Sequence, residues 1–415
     1  KMKKKYKRQP KDEMNIFLPQ SLQTKIELEE IADSKRQFIS PAVSKTSMGI
    51  VQDGLLGAYN LTESSMRIDW KSAMNIVSYT TLDDFSIFNN YEKNKEYTGQ
   101  ELYSLILPSR LNVNKKDFLI ENGVFKQGQL TSQDLGSKKE NNLLFAILDE
   151  YGPDEAKTFL DNTQRLVNNF NLFNGFSVGI GDINIDEELQ RKMNVIFETK
   201  KLEVSHLITE MENNPDLMDA DIFENTVFSQ LNVVMSDVGK VIMQTLDKKN
   251  NFMIMVKSGS KGKETNIEQM GGCIGQQAVE GKRVQKKINN RSNPYFHQND
   301  DTAFARGFIE SSFLKGMEWT EFIFHNTSSR EGLIDGAIRT ADSGYVQRKL
   351  IKSMEDAMIK YDGTVRTATN IIVQFLYGDS GLNTTKHIPY YIKLLELSDS
   401  EIREKYEFQK LNNKN

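Results

Sequence analysis

Gly336, Thr340 and Gly344 recur every four residues, and Ala337 and Ala341 each follow one of them directly. On a helix this spacing puts all five on one side, with the alanines widening the strip by one position. The result is a smooth ribbon of small side chains that lets a flat or bulky partner approach the backbone. Arg330, Arg339, Arg348, Lys349 and Lys352 stand nearby. A smooth face with flanking cations suits a base pair whose phosphates lie alongside. Close packing against a second helix uses the same small residues and, on the residues alone, is their more ordinary use. Gly332, Gly336 and Gly344 each cost a helix ~1 kcal/mol relative to alanine, and they also ease bending.

Other stretches invite chemistry and fail on spacing. Ser258 to Glu264 reads SGSKGKE, but a Walker loop needs GxxxxGK followed by Ser or Thr, and Glu264 occupies the hydroxyl position. Gly179-Ile180-Gly181 lacks the third glycine of a dinucleotide fingerprint. No G-x-S-x-G elbow and no H-E-x-x-H zinc helix occurs. Cys273 is the single cysteine, and the four histidines (His206, His297, His325, His387) are well separated. That set supplies neither a disulfide framework nor an ordinary structural zinc site, and it points to a reducing compartment.

The 415 residues are enough for two to four domains at ~100–200 residues each. With 38% hydrophobic and 27% charged residues, the balance is that of a water-soluble chain with a thin core. The net charge of -4 gives no global basic field, although nucleic-acid binding needs only local charge. No apolar run reaches the ~18–20 residues of a membrane span. The start, KMKKKYKRQPK, is basic but leads into no apolar segment, so it is not a secretory signal. It reads as a solvated tail or as a phosphate-contacting arm.

Three zones must position these residues. Residues 12–175 read as mixed α and β. Within them Asn122-Gly123 separates two apolar runs and predicts a tight hairpin, and Asn141 to Phe173 reads as helical with a break at Gly152-Pro153. Residues 176–290 read as mainly helical. Leu189, Met193, Ile196, Val204, Leu207 and Met211 form one stripe, and Phe228, Leu231, Met235, Val238 and Ile242 form another. Asn213-Asn214-Pro215 breaks the pattern between them, so a helical hairpin is expected. Residues 291–415 hold a long helical pattern from about Thr320 to Tyr361. The fold class is α+β.

REGLIDGAIRTADSGYVQRKL, Arg330 to Leu350, resembles the bridge helix of the largest subunit of multisubunit DNA-directed RNA polymerases of the eukaryotic, archaeal and large-virus branch. MGIVQDGLLG (Met48 to Gly57) and NGFSVGIGD (Asn174 to Asp182) look like segments of that family's pore domain and its exit. SGSKGKETNIEQMGGCIGQQAVEGKR, Ser258 to Arg283, is similar to the inner segment of its funnel domain. GFIESSFLKGMEWTEFIFHNTSSREGLID (Gly307 to Asp335) leads into the bridge helix, and YDGTVRTATNIIVQFLYGDSGL (Tyr361 to Leu382) resembles the segment just after that helix. DEMN, Asp12 to Asn15, resembles the close of the catalytic loop. The likeness runs in order from Asp12 to about Leu382.

The resemblance implies a basic arm over 1–11, a mixed pore domain over 12–175 and a helical-hairpin funnel domain over 176–290. Over 291–415 it implies the bridge helix and the start of the next region, with following helices. It implies template-directed RNA synthesis from ribonucleoside triphosphates, with two Mg²⁺ ions stabilising the attacking and leaving oxygens. Gly336, Ala337, Thr340, Ala341 and Tyr345 match the bridge-helix face toward the nascent base pair. Arg339, Arg348 and Lys349 match template-phosphate contacts, Lys261 a residue of the nucleotide path, and Gln276-Gln277 a polar pair supporting the bridge helix. For that pair buried hydrogen bonding is the simpler role, and His325 reads as a packed histidine.

The family's metal motif reads NADFDGD, and here Tyr6 to Asp12 reads YKRQPKD. Only Asp12 matches a metal aspartate; Arg8 and Pro10 stand in place of two others. The expectation is therefore a piece of the subunit, from a split gene, an intron-interrupted gene or an excised fragment, inactive alone. Its implied partners are the remaining pieces of the largest subunit, the second-largest and other polymerase subunits, template DNA, RNA and nucleoside triphosphates, and no membrane. A polymerase-derived scaffold or nucleic-acid-binding module without catalysis is the alternative. Two departures are local: Ser328-Ser329 replaces a Gly-rich pair, and Ser132-Gln133 replaces lysines. An intracellular polymerase complex is implied, in nucleus or cytoplasm. The richness in Lys, Asn and Ile fits an AT-rich genome, such as that of a large DNA virus or a protist.

Overall fold

The computed structural model describes residues 16–40, 42–82, 88, 95–115, 117–139, 142–214, 219–247, 249–382, 398–400 and 402. The basic arm, Asp12 with its DEMN motif, and His387 lie outside them. Among the described residues the helices of the first zone are α1 (Leu22–Glu27), α2 (Asp53–Leu61), α3 (Trp70–Ser78), α4 (Gly99–Ser104), α5 (Ser132–Leu135), α6 (Leu143–Tyr151) and α7 (Pro153–Asn174). Then come α8 (Glu187–Asn213), α9 (Ala220–Thr245), α10 (Asn251–Lys257), α11 (Glu264–Ile267) and α12 (Trp319–Met354). The strands form small antiparallel sheets of two or three. The chain is α+β.

Local chemistry accounts for the first zone. Strands Phe118–Glu121 and Val124–Gly128 pair across Asn122-Gly123, whose φ values of 49° and 74° are the left-handed pair that a two-residue hairpin turn requires. Asn142 caps α6 through the Phe145 amide at 2.8 Å, and Pro153 occupies the first position of α7, where a missing N–H costs nothing. Helices α2, α6 and α7 and this sheet enclose Leu61, Tyr103, Phe118, Leu144, Phe159 and Leu166.

The second zone centres on the antiparallel pair α8 and α9, which buries Leu189, Met193, Phe197 and Val204 against Val227, Leu231, Val234, Val238 and Ile242. The expected stripes are correct in period but too narrow. Phe197 is buried where Ile196 was expected, and Val227 and Val234 lie deeper than Phe228 and Met235. The reason is that α9 is covered on two sides, by α8 and by α11 with the strand Gly275–Gln276. Helix also ends earlier than expected in this zone. After Gly272 the chain runs through two-residue strands at Gly275–Gln276, Ala278–Val279 and Lys282–Arg283.

The two zones meet at a close backbone approach. The Ser132 amide donates to the Ser258 carbonyl at 3.0 Å. Gly259 has φ +70°, and a Cβ there would lie 2.1 Å from Ser132 Oγ, so both conformation and space demand glycine.

A buried ion network locks α9 to the loop beneath α12. Arg283, with 0% exposure, makes paired bonds to Glu224 at 2.9 and 3.0 Å. Arg306 donates to Glu224 at 2.8 Å and pairs with Asp301, which also holds Lys286 at 2.6 Å. Burial pushes the Glu224 carboxyl up, but hydrogen bonds and charge from Arg283 and Arg306 outweigh it and hold the group below its ordinary 4.5. Asp301 is likewise raised by burial and held low by Lys286 and Arg306.

Both folded-state values are depressed, so the network's contribution is fully present above the ordinary carboxylate values and is lost as pH falls below them and through the lower folded-state values. Glu224→Leu leaves the buried Arg283 guanidinium without a carboxylate partner and Arg306 with Asp301 alone, and should cost about 3–5 kcal/mol in urea unfolding at neutral pH. A loss under about 1 kcal/mol would mean that the pairs behave as solvated surface bridges. The gap between wild type and variant should narrow as the buffer is acidified below pH 4.5.

Candidate functional site

The strip lies on α12, a helix of 36 residues and therefore about 54 Å long. Only its first third is held by the body. Glu321, 4% exposed, accepts from the Glu318 amide at 3.0 Å and lies 3.4 Å from the Ser311 amide. Phe324 stacks on Phe296 with ring centroids 5.8 Å apart. The next residue, and the same side of the helix one and two turns further on, make polar contacts. His325 Nδ1 lies 3.2 Å from Gln277 Oε1, and Ser328 Oγ donates to the Ala278 carbonyl at 2.8 Å. Glu331 accepts the Glu280 amide with both oxygens, at 2.8 and 3.1 Å.

Gln277 itself is buried, and its amide donates to the Gly307 carbonyl at 2.9 Å. Gln276 bonds to the Gln277 and Arg306 carbonyls, both at 2.9 Å. The glutamine pair therefore braces the loop on which α12 is rooted, and His325 is a packed histidine.

Beyond Glu331 the helix leaves the body and its residues are exposed, apart from a half-buried Gln347. Gly336 and Ala337 stand at its midpoint. At ~100° per residue the strip faces away from the side that carries Phe324, Ser328 and Glu331. Cβ atoms built at Gly332, Gly336 and Gly344 meet nothing within 4 Å. Among the described residues, then, no second helix uses this strip. Close packing against the described residues does not explain it.

The cations are distributed unevenly. Arg330 and Arg348 are five full turns apart and share one azimuth at the strip's edge. Arg348 makes no ion pair among the described residues. Arg339 lies further round the helix, tied to Asp335 at 2.6 Å. Lys349 lies over the Tyr345 ring at 4.0 Å, and Lys352 pairs with Glu355 at 2.8 Å. Tyr345 is one turn beyond Ala341 and 60% exposed. Thr340 donates its hydroxyl to the Gly336 carbonyl at 2.8 Å. Lys261 is not part of this face. It sits in the exposed loop after α10 and shares no hydrogen bond or ion pair with α12 among the described residues.

No group of three or more His, Cys, Asp or Glu residues suited to a metal ion occurs among the described residues. The residue the sequence offered for one, Asp12, lies outside them. Sequence reasoning also missed Glu331 as an anchor. Its signal is the spacing Phe324, Ser328, Glu331, a helical face that is only partly apolar.

An open strip makes a stability prediction opposite to that of a packed one. Gly336→Leu should leave the unfolding midpoint of the chain unchanged or raise local helix stability by about 1 kcal/mol, read by hydrogen exchange over α12. A loss of 1–3 kcal/mol, of the order expected for overpacking, would show that the strip is covered.

Comparison with known proteins agrees with this architecture. Three successive family models match: RNA polymerase Rpb1, domain 3, over residues 37–183; domain 4 over 205–309; and domain 5 over 316–396. The chain is 39% identical over 399 residues to DNA-directed RNA polymerase subunit 1 of Acanthamoeba polyphaga mimivirus, covering 95% of this chain and 26% of that protein. It is 35% identical over 388 residues to DNA-directed RNA polymerase II subunit RPB1-B of Trypanosoma brucei brucei, covering 90% of this chain and 22% of that protein. The chain thus spans about a quarter of the length of these relatives, and it belongs to the family of the largest subunit of DNA-directed RNA polymerases.

Proposed function

We propose that this chain contributes the pore, funnel and bridge-helix segments (12–175, 176–290 and 291–415) to the catalytic subunit of a DNA-directed RNA polymerase, and that it works only within the assembled enzyme. The observation that carries the reading is the open strip at the midpoint of α12, which has no partner among the described residues and has the shape a base pair needs. Template DNA, RNA and ribonucleoside triphosphates are its ligands. The second-largest subunit, other polymerase subunits and the rest of the largest subunit are its protein partners.

In this reading Gly336, Ala337, Thr340 and Ala341 form the floor under the nascent base pair, with Tyr345 at the edge. Small side chains at these positions let the template base sit against the helix without collision. Arg348 supplies an uncommitted cation for template phosphate. Arg339 and Lys349 act there only after leaving Asp335 and the Tyr345 ring, so their contributions should be smaller than that of Arg348. Lys261 lies along the nucleotide path rather than at the strip. Mg²⁺, when bound in the enzyme, supplies the charge neutralisation for phosphoryl transfer. Among the described residues no group of three or more His, Cys, Asp or Glu is placed to hold it.

Primer extension by the complete enzyme tests the reading. Gly336→Leu should lower the rate of nucleotide addition by at least tenfold while subunit assembly stays intact, because the added side chain occupies the place of the template base. Unchanged elongation would remove that face assignment. Arg348→Ala should weaken template binding and lower its salt dependence by about one unit of slope, since one phosphate contact is lost. An unchanged slope would take Arg348 off the template path.

A further inference from the structure

The far end of α12 meets a part of the chain more than three hundred residues away in sequence. Past Met354 the chain forms a three-stranded antiparallel sheet of Met358–Ile359, Val365–Arg366 and Ile372–Gln374. The turn between its first two strands carries Tyr361. That turn is internally fixed: the Asp362 carboxylate accepts from the Thr364 amide at 3.0 Å, from the Thr364 hydroxyl at 2.6 Å and from Arg366 at 2.9 Å. From this rigid tip, Tyr361 Oη donates to Glu27 Oε1 of α1 at 3.0 Å.

Glu27 is in turn tied to the body. Gln23 bonds to Glu27 at 3.1 Å, and α1 packs on the turn Leu28–Ala32 that comes directly after it. Glu30 of that turn pairs with Arg36 at 2.8 Å, and the adjacent Lys35 pairs with Asp154 of α7 at 2.7 Å. Among the described residues, every other hydrogen bond of segment 355–382 stays within the segment or returns to α12. The contact is exposed, with Tyr361 at 85%, so its own strength is small. Its leverage is large, because it sits beyond the end of a helix whose middle is uncovered among the described residues.

We propose that Tyr361 and Glu27 form a brace that fixes the C-terminal end of α12 to the body, making α12 a strut held at both ends with the Gly336–Gly344 strip suspended between them. Tyr361 and Glu27 are then positioning residues: they act on the reaction through the placement of the strip and touch no substrate. This rests on the function proposed above. The brace predicts a defect in the rate of the bound complex rather than in nucleotide affinity, because the entry path is unaltered while the floor under the base pair is less well placed.

The test uses the complete polymerase carrying this chain. Tyr361→Phe removes the donor and keeps the ring, and Glu27→Leu removes the acceptor. Each should lower kcat for nucleotide addition about threefold with KM unchanged, and the double variant should be no slower than either single one. Exchange protection of amides 346–354 should fall in parallel. Cysteines placed at both positions and joined by a short bismaleimide should restore kcat, while the unlinked pair stays slow. The native Cys273 does not compete for the reagent, being fully buried with its thiol pushed by burial up to about 12. Additive single effects, an effect confined to KM, or a cross-linked enzyme no faster than the unlinked one would overturn the brace. If the unsubstituted enzyme extends no primer, the proposed function fails. The brace is then decided by exchange protection alone: a fall in Tyr361→Phe supports it, and unchanged protection rejects it.

Discussion

The structure depends on how α12 is rooted. The helix has three internal glycines, each costing ~1 kcal/mol, and no apolar face buried along its second half. Intrinsic propensity alone would not hold such a helix straight over about 54 Å. Its order comes from the first third, where Phe324 stacks on Phe296, Glu321 receives backbone N–H groups, and Ser328 and Glu331 fasten it to the hairpin Ala278–Arg283. That hairpin is itself held by the Arg283–Glu224–Arg306–Asp301 network, which reaches back to α9. The α8/α9 helical pair is thus the foundation of the projecting helix.

This arrangement separates two demands that would conflict on one surface. Residues that fix the helix lie on one side and near its start. Small residues, uncovered among the described residues, lie at its midpoint, turned away from the body. A strip of Gly, Ala and Thr contributes little to packing, so it persists without cost only where packing is supplied elsewhere. The exposed cations obey the same logic: Arg330 and Arg348 line the strip's edge, whereas Arg339 is neutralised by Asp335 further round the helix.

Much of this was legible in the sequence, and the parts that were not share one cause. The Asn122-Gly123 hairpin, the break at Gly152-Pro153 and the α8/α9 pair arise from turn chemistry and periodicity, which act over a few residues. The end of α12 was expected at Tyr361 and falls at Met354, because Tyr361-Asp362-Gly363 forms a strand-linking turn that helical periodicity does not register. The expected following helices are likewise preceded by a sheet. The ion network joins residues 59 and 82 positions apart, and the Tyr361–Glu27 contact joins residues 334 apart. No local pattern encodes such pairs. The strip itself was visible as spacing, but its spacing fitted packing as well as a flat ligand. The empty space around Gly336 and Gly344 removes only packing against the described residues. Asp12 lies outside the described residues, so the structure adds nothing to its sequence reading.

The central claim is that the strip on α12 faces the templating base pair. The most direct measurement is photocrosslinking in the complete enzyme, using a template strand with a photoreactive base at the templating position, followed by peptide mapping of this chain. The account predicts adducts within residues 336–345 that move off α12 when the reactive base is placed several positions downstream. Adducts confined to other parts of the chain, in an enzyme that is extending RNA, would contradict it.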